Sequence, residues 1–141
     1  MGTFDAAALA KAALEARRTA YAPYSQFAVG AALLAQDGTV YTGCNVENAA
    51  YGLSNCAERT ALFKAVSAGA QRFAALAVAG GPAGCDEAAL PRCSPCGACR
   101  QALYEFGGPQ LPVVLAYGGG VLEQHTLGEL LPLGFGPEVL G

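Results

Sequence analysis

A chain of 141 residues with a net charge of −3 and a pI near 5.0 is sized for one domain, residues 1–141, and lacks the basic surface that binding polynucleotide phosphates requires. Only 13% of its residues are charged and 53% are apolar, about half the charge of a typical soluble domain, so part of its surface is expected to lie against other copies of the chain. No apolar run is long enough for a membrane span and no basic stretch leads into an apolar core as in a secretory signal, so the cytoplasm is the expected compartment.

The first predicted element is a helix in which Ala10, Leu14, Arg17 and Tyr21 recur at helical spacing. Thr3 or Asp5 can cap its start, and Pro23 marks its end. A hairpin follows, with Phe27–Ala35 and Val40–Cys44 joined through Asp37-Gly38, a strong reversal signal between apolar runs. The stretch 45–55 is rich in Asn, Gly and Ser and reads as loop. A second helix runs from near Cys56 to Gly69, with Leu62 and Val66 inward. Phe73–Ala79 is an apolar run of strand length, and Gly80–Cys93 is the longest irregular stretch. Ser94 and Pro95 are expected as cap and first residue of a third helix that Gly107-Gly108 ends. Strands are predicted at Leu111–Tyr117 and Val121–Gln124. Gly118-Gly119-Gly120 between them reads as a turn, because no Lys-Ser/Thr follows it. Thr126-Leu127-Gly128-Glu129 has the form of a capping box opening a short fourth helix. The order αββαβαββα predicts an α/β protein with helices on both faces of a mixed sheet of about five strands.

Six cysteines in a chain of this kind point to metal binding rather than disulfides. Three of them fall in two words, Cys56-Ala57-Glu58 and Pro95-Cys96-Gly97-Ala98-Cys99. A structural zinc wants four protein ligands, whereas a catalytic one keeps a position open for water. Three thiols with a carboxylate two residues from the first therefore make Cys56, Cys96 and Cys99 the candidate ligands and Glu58 the candidate acid–base group. Placed in first helical turns, the thiols meet unpaired N–H groups and the positive end of a helix dipole, which favour the thiolate. Soft thiolates select zinc over hard cations. The same residues also admit a redox dithiol of Cys96 and Cys99, a closed structural site with Cys85 or Cys93 as fourth ligand, and Glu58 as a capping residue behind Asn55. The dithiol leaves Cys56 and Glu58 unexplained.

The surrounding words extend the pattern. Tyr21-Ala22-Pro23-Tyr24-Ser25, Phe27-Ala28-Val29-Gly30-Ala31-Ala32, Gly43-Cys44-Asn45-Val46-Glu47-Asn48, Cys56-Ala57-Glu58-Arg59-Thr60-Ala61 and Ser94-Pro95-Cys96-Gly97-Ala98-Cys99-Arg100-Gln101 occur in order. With them the chain from about Leu9 to Phe135 resembles the small homotetrameric cytidine deaminases of pyrimidine nucleoside salvage. The resemblance implies the three-layer α/β/α cytidine deaminase fold, one Zn²⁺ per subunit, and hydrolysis of cytidine and 2′-deoxycytidine to uridine and 2′-deoxyuridine with release of ammonia. It implies that Glu58 takes a proton from the attacking water, passes it to N3 of cytosine and later protonates the leaving amine. Phe27 would stack on the base, Asn45 and Glu47 would hold the ribose, and the backbone of Ala57 with the carbonyls near Ser94 and Pro95 would read the pyrimidine edge. Arg59 and Gln101 would support the ligand sulfurs, while Tyr51 and Phe135 would reach a neighbouring subunit's site in a shared homotetramer. The implied partners are a small nucleoside and other copies of the chain, with neither nucleic acid nor membrane. Two alternatives are a deaminase of a modified or antibiotic cytosine nucleoside, disfavoured by the intact Phe27, Asn45 and Glu47 set, and a non-catalytic structural zinc module. Cys44 is expected buried at a strand end, Cys85 and Cys93 as free thiols, and His125 as a surface residue without a role.

Overall fold

The computed structural model describes residues 3–141. Helix α1 (Ala6–Arg17) starts where Asp5 Oδ1 accepts from Ala8 N at 3.0 Å, leaving Leu9, Ala10, Ala13 and Arg17 inward. It stops at Arg17, well short of the predicted end at Pro23. The chain beyond is drawn to the sheet instead: Tyr21 N donates to Asn45 O at 3.0 Å, and Tyr21 pairs with Val46 in an isolated bridge.

Strands β1 (Phe27–Ala35) and β2 (Val40–Cys44) form the predicted hairpin, and helix α2 (Ala57–Ser67) follows. Strand β3 (Phe73–Pro82) runs three residues past the predicted Ala79, because its end pairs with the start of β1, Phe27 with Pro82 and Ala28 with Gly81. Helix α3 (Gly97–Gly107), strands β4 (Pro112–Tyr117) and β5 (Val121–Thr126), and helix α4 (Leu127–Leu130) complete the order αββαβαββα. The capping box is present: Glu129 N donates to Thr126 Oγ1 at 3.2 Å and Thr126 N to Glu129 Oε1 at 2.8 Å. Single 3₁₀ turns lie at Tyr51–Leu53, Glu87–Ala89 and Pro137–Leu140, the first two inside stretches read as loop.

The sheet order is β2-β1-β3-β4-β5, antiparallel except for the parallel pair β3–β4. The strand pleat sends alternate residues to opposite faces. Ala75, Ala77 and Ala79 of β3 pack towards α1, while Leu76 and Val78 join Leu62 of α2 and Leu103 of α3. Three layers result, α1 on one face and the other helices on the second. Each of these fully buried Leu side chains contributes about 1.5–3 kcal/mol. Val66, predicted inward, is half-buried against the same core.

Two close approaches bring the helices onto the sheet. A Cβ at Gly30 would sit 2.0 Å from Ala13 O, and one at Gly43 would sit 2.5 Å from Ala61 N. Only glycine leaves room for α1 at the first and α2 at the second. At the far edge, Glu123 accepts from Tyr117 Oη (2.6 Å) and Arg92 Nε (2.9 Å) and pairs with His125 Nε2 (2.5 Å). His125 is therefore half-buried and hydrogen-bonded to Glu123 rather than a free surface residue. Those contacts, the Tyr117 hydroxyl first, hold the Glu123 carboxyl down at about 2.

Candidate active site

The starts of α2 and α3 converge on one point. Cys56 is the N-cap of α2 and Cys96 the N-cap of α3, both in extended conformation. Neither sulfur caps its own helix, so both are free to turn towards each other. Ser94 and Pro95 do not open α3 as expected. Pro95 is fully buried, Ser94 Oγ accepts from Arg100 Nη2 at 3.1 Å, and the helix begins two residues later at Gly97. Cys96 thus stands just outside the helix, and only Cys99 lies in its first turn. Their sulfurs are 3.3 Å apart, Cys56 Sγ is 3.7 Å from Cys96 Sγ, and all three lie within 4.8 Å of one another.

Those three soft donors, at helix starts where negative charge is favoured, fit one zinc ion. Among the described residues no fourth Cys, His, Asp or Glu joins the group, so Cys85 and Cys93 are not among the candidate ligands, and a metal held by the three thiols would keep room for water. Arg59 Nη2 donates to Cys56 Sγ at 3.5 Å, while its buried Nε finds no hydrogen-bond partner among the described residues. The guanidinium is placed to offset the charge of the thiolates. Cys56 is drawn down to about 5, first by the hydrogen bond from Cys99 and then by those from Arg59 and Cys96, against the opposing cost of burial. The same sharing pushes Cys99 up.

Glu58 follows two residues behind Cys56, at the second position of α2 and only 4% exposed. Loss of hydration pushes its carboxyl up to about 7. The capping reading fails locally, because Asn55 Nδ2 donates to Thr60 Oγ1 (3.2 Å) instead of Asn55 capping α2. Glu58, Ala57, Cys56 and Cys96 line a cleft of about 300 Å³ whose other wall carries Phe27 and Asn45. Cys93 also lines it, its thiol pushed up to about 11 by burial and then by the charge of Glu58. Asn45 Oδ1 accepts from Val29 N and Asn45 Nδ2 donates to Phe27 O, both at 2.8 Å, so this side chain holds the strand that bears Phe27. One amide N–H and one lone pair remain for a ligand.

An adjoining hollow of about 370 Å³, sharing Ser25 with the cleft, is lined by Glu47 and Tyr51. Glu47 Oε1 accepts from Tyr24 N and Ser25 N at 3.0 Å, and Oε2 accepts from Ser25 Oγ. These donors, the Ser25 hydroxyl first, hold it below the usual carboxylate range. Tyr51 is 74% exposed and meets Tyr24 edge to face at 5.7 Å.

Phe135, expected at a neighbouring copy's site, is 53% exposed and lines neither hollow of its own chain. Gln101, expected beside the sulfurs, donates from Nε2 to Phe135 O at 2.6 Å. Conversely, residues without an assigned role take part. Arg100 binds Pro95 O (2.7 Å), Leu130 O (2.6 Å) and Ser94 Oγ, fixing the loop that presents Cys96. Ser25 and Arg100 sit inside the quoted words, which was their only signal.

The family model of the cytidine and deoxycytidylate deaminase zinc-binding region matches residues 4–115. The cytidine deaminase of Sporosarcina psychrophila is 53% identical over 126 residues, 89% of this chain and 88% of that protein. That of Halalkalibacterium halodurans is 48% identical over 134 residues, 95% and 96% of the two chains. The crystal structure of cytidine deaminase from Burkholderia pseudomallei superposes with a TM-score of 0.80 at 54% identity, over 91% of this chain and 97% of its own. That from Mycobacterium tuberculosis gives a TM-score of 0.80 at 42% identity, over 95% and 99%.

Proposed function

Because the chain belongs to the cytidine and deoxycytidylate deaminase family, we propose that it hydrolyses cytidine and 2′-deoxycytidine to uridine and 2′-deoxyuridine, releasing ammonia. The observation that carries this reading is a cluster of three thiols at the wall of a cleft that also holds a dry glutamate and an aromatic ring. Cys56, Cys96 and Cys99 would hold zinc, which when bound would supply Lewis-acid activation of water near neutral pH.

The remaining work falls to the chain's own side chains. Phe27 offers a ring to the face of the pyrimidine, and the backbone of Ala57 lies beside its edge. Glu58 takes a proton from the attacking water as the oxygen bonds to C4, and hands that proton to N3. It then takes the proton of the new C4 hydroxyl and gives it to the exocyclic amine, which leaves as ammonia. Burial keeps this exchange away from bulk solvent. Glu47, kept ionised by Ser25 and Tyr24, accepts from a sugar hydroxyl, and the spare amide N–H of Asn45 donates to another sugar oxygen. Arg59 steadies Cys56, and Gln101 acts on the C-terminal segment.

Tyr51 and Phe135, both exposed in the single chain, have the character of residues covered by a neighbouring copy. A homotetramer with shared sites, working in cytoplasmic pyrimidine salvage, follows from the same reading. The deciding experiment is an ultraviolet assay of cytidine turnover with zinc content measured in parallel. The parent should convert cytidine, and Glu58→Ala should keep one zinc per chain while losing about 10²–10⁴-fold in kcat. A zinc-loaded parent without turnover would redirect the reading to a modified cytosine nucleoside, and an active Glu58→Ala would remove Glu58 from the chemistry.

A further inference from the structure

Arg17, the last residue of α1, is 6% exposed, yet among the described residues no carboxylate pairs with it. A buried cation is costly unless its donors are satisfied. Here backbone carbonyls do most of this: Nε donates to Ala28 O at 2.8 Å, and Nη2 to Gly81 O at 3.0 Å and Pro82 O at 2.8 Å, with Cys85 Sγ a longer contact of Nη2 at 3.8 Å. Those carbonyls belong to the paired ends of β1 and β3, where the ladder runs out beside the cleft. The approach depends on Gly30, since a Cβ there would sit 2.4 Å from Arg17 N.

The strand end held in this way bears Phe27. Its neighbour Gln26 has φ +57, a left-handed conformation for a non-glycine residue, and Gln26 O accepts from Ala83 N at 2.7 Å. Such a backbone persists only where its surroundings over-determine it. Asn45 grips Phe27 O and Val29 N, while Arg17 grips Ala28 O between them. Phe27 is itself 36% exposed and lies outside both buried core clusters. The direction of its ring is therefore set by the backbone beneath it more than by packing around it.

Taking cytidine as the substrate and Phe27 as the stacking ring, we propose that Arg17 is a positioning residue for base binding, acting through the backbone of Phe27–Val29. A simple rivet between α1 and the sheet would contribute stability alone. A positioning residue lowers KM, and its effect exists only while Phe27 is present.

Steady-state cytidine kinetics on the zinc-loaded parent, Arg17→Lys, Arg17→Met, Phe27→Ala and the double variant Arg17→Lys/Phe27→Ala separate the two. Arg17→Lys keeps a cation but loses the fork that spans three carbonyls. It is expected to raise KM about fivefold or more, with kcat within about twofold and zinc content unchanged. In the Phe27→Ala background the same substitution should change KM by less than about 1.5-fold. An equal penalty in both backgrounds, or parent kinetics with only a lowered Tm, overturns the proposal in favour of the rivet. Failure of both single Arg17 variants to fold with zinc bound does the same. A parent without cytidine turnover overturns the functional reading first, and this proposal with it.

Discussion

Glu58 and Glu47 line adjoining hollows and sit in opposite environments. Glu58 has lost its water and is pushed up to about 7, whereas Glu47 has gained three donors and is held low. The first arrangement suits a group that exchanges protons, the second a fixed acceptor. Ser25 is the residue on which the second depends, through both its N–H and its hydroxyl. Ser25→Ala should raise KM about three- to tenfold with kcat nearly kept. Glu47 starts from an ordinary value of 4.5 and is lowered in the fold, so its ionised form contributes fully above that pH. The contribution is lost as pH falls through the lower native value. Without the Ser25 hydroxyl that loss should begin at a higher pH, which a KM profile between pH 4 and pH 7 would show. Identical acid limbs for parent and variant would disconnect Ser25 from Glu47.

Among elements, α2 matters most, because its N-cap is Cys56, its first turn carries Glu58 and its placement depends on contact with β2. At Gly43 a Cβ would meet Ala61 N at 2.5 Å and Ala57 O at 2.8 Å, both backbone atoms that cannot swing aside. Gly43→Ala is therefore expected to push the helix outward, costing about 1–3 kcal/mol. Since Cys96 and Cys99 are held separately by α3 and Arg100, the displacement should spread the sulfurs. Zinc retention on dialysis and the melting temperature should fall together. A variant that melts earlier but holds zinc like the parent would show that α2 tilts about Cys56 rather than translating.

For the whole molecule, the three thiols join the starts of two helices that the sequence separates by 40 residues. Binding a metal to the folded state alone adds stability by mass action, about 4 kcal/mol when free zinc is a thousandfold above its Kd. Chelation should lower Tm by on the order of 10 °C, and added zinc should restore it. Burial of Tyr51 and Phe135 against neighbouring copies would make Tm depend on protein concentration, with four chains per particle by light scattering. A monomer with undiminished cytidine turnover would remove both residues from the site.

Much of this was legible along the chain, for reasons that are local. Asp5, Asp37-Gly38 and the Thr126/Glu129 box act within a few residues of themselves, so their elements fall where the pattern puts them. Cys56, Glu58, Cys96 and Cys99 were legible because metal chemistry restricts residue type and spacing. Where α1 ends, how far β3 runs and where α3 begins were decided by partners remote in sequence: Asn45 for Tyr21, Phe27 for Pro82, and a buried Pro95 behind Arg100. Arg17 is the clearest case, because its acceptors lie 11, 64 and 65 residues away and nothing in its own neighbourhood announces them. The sequence by itself determined which groups are candidates for the chemistry, since that depends on what they are. The tertiary structure alone decided which groups hold them in place, since a hydrogen bond to a distant carbonyl leaves no mark on the pattern around its donor.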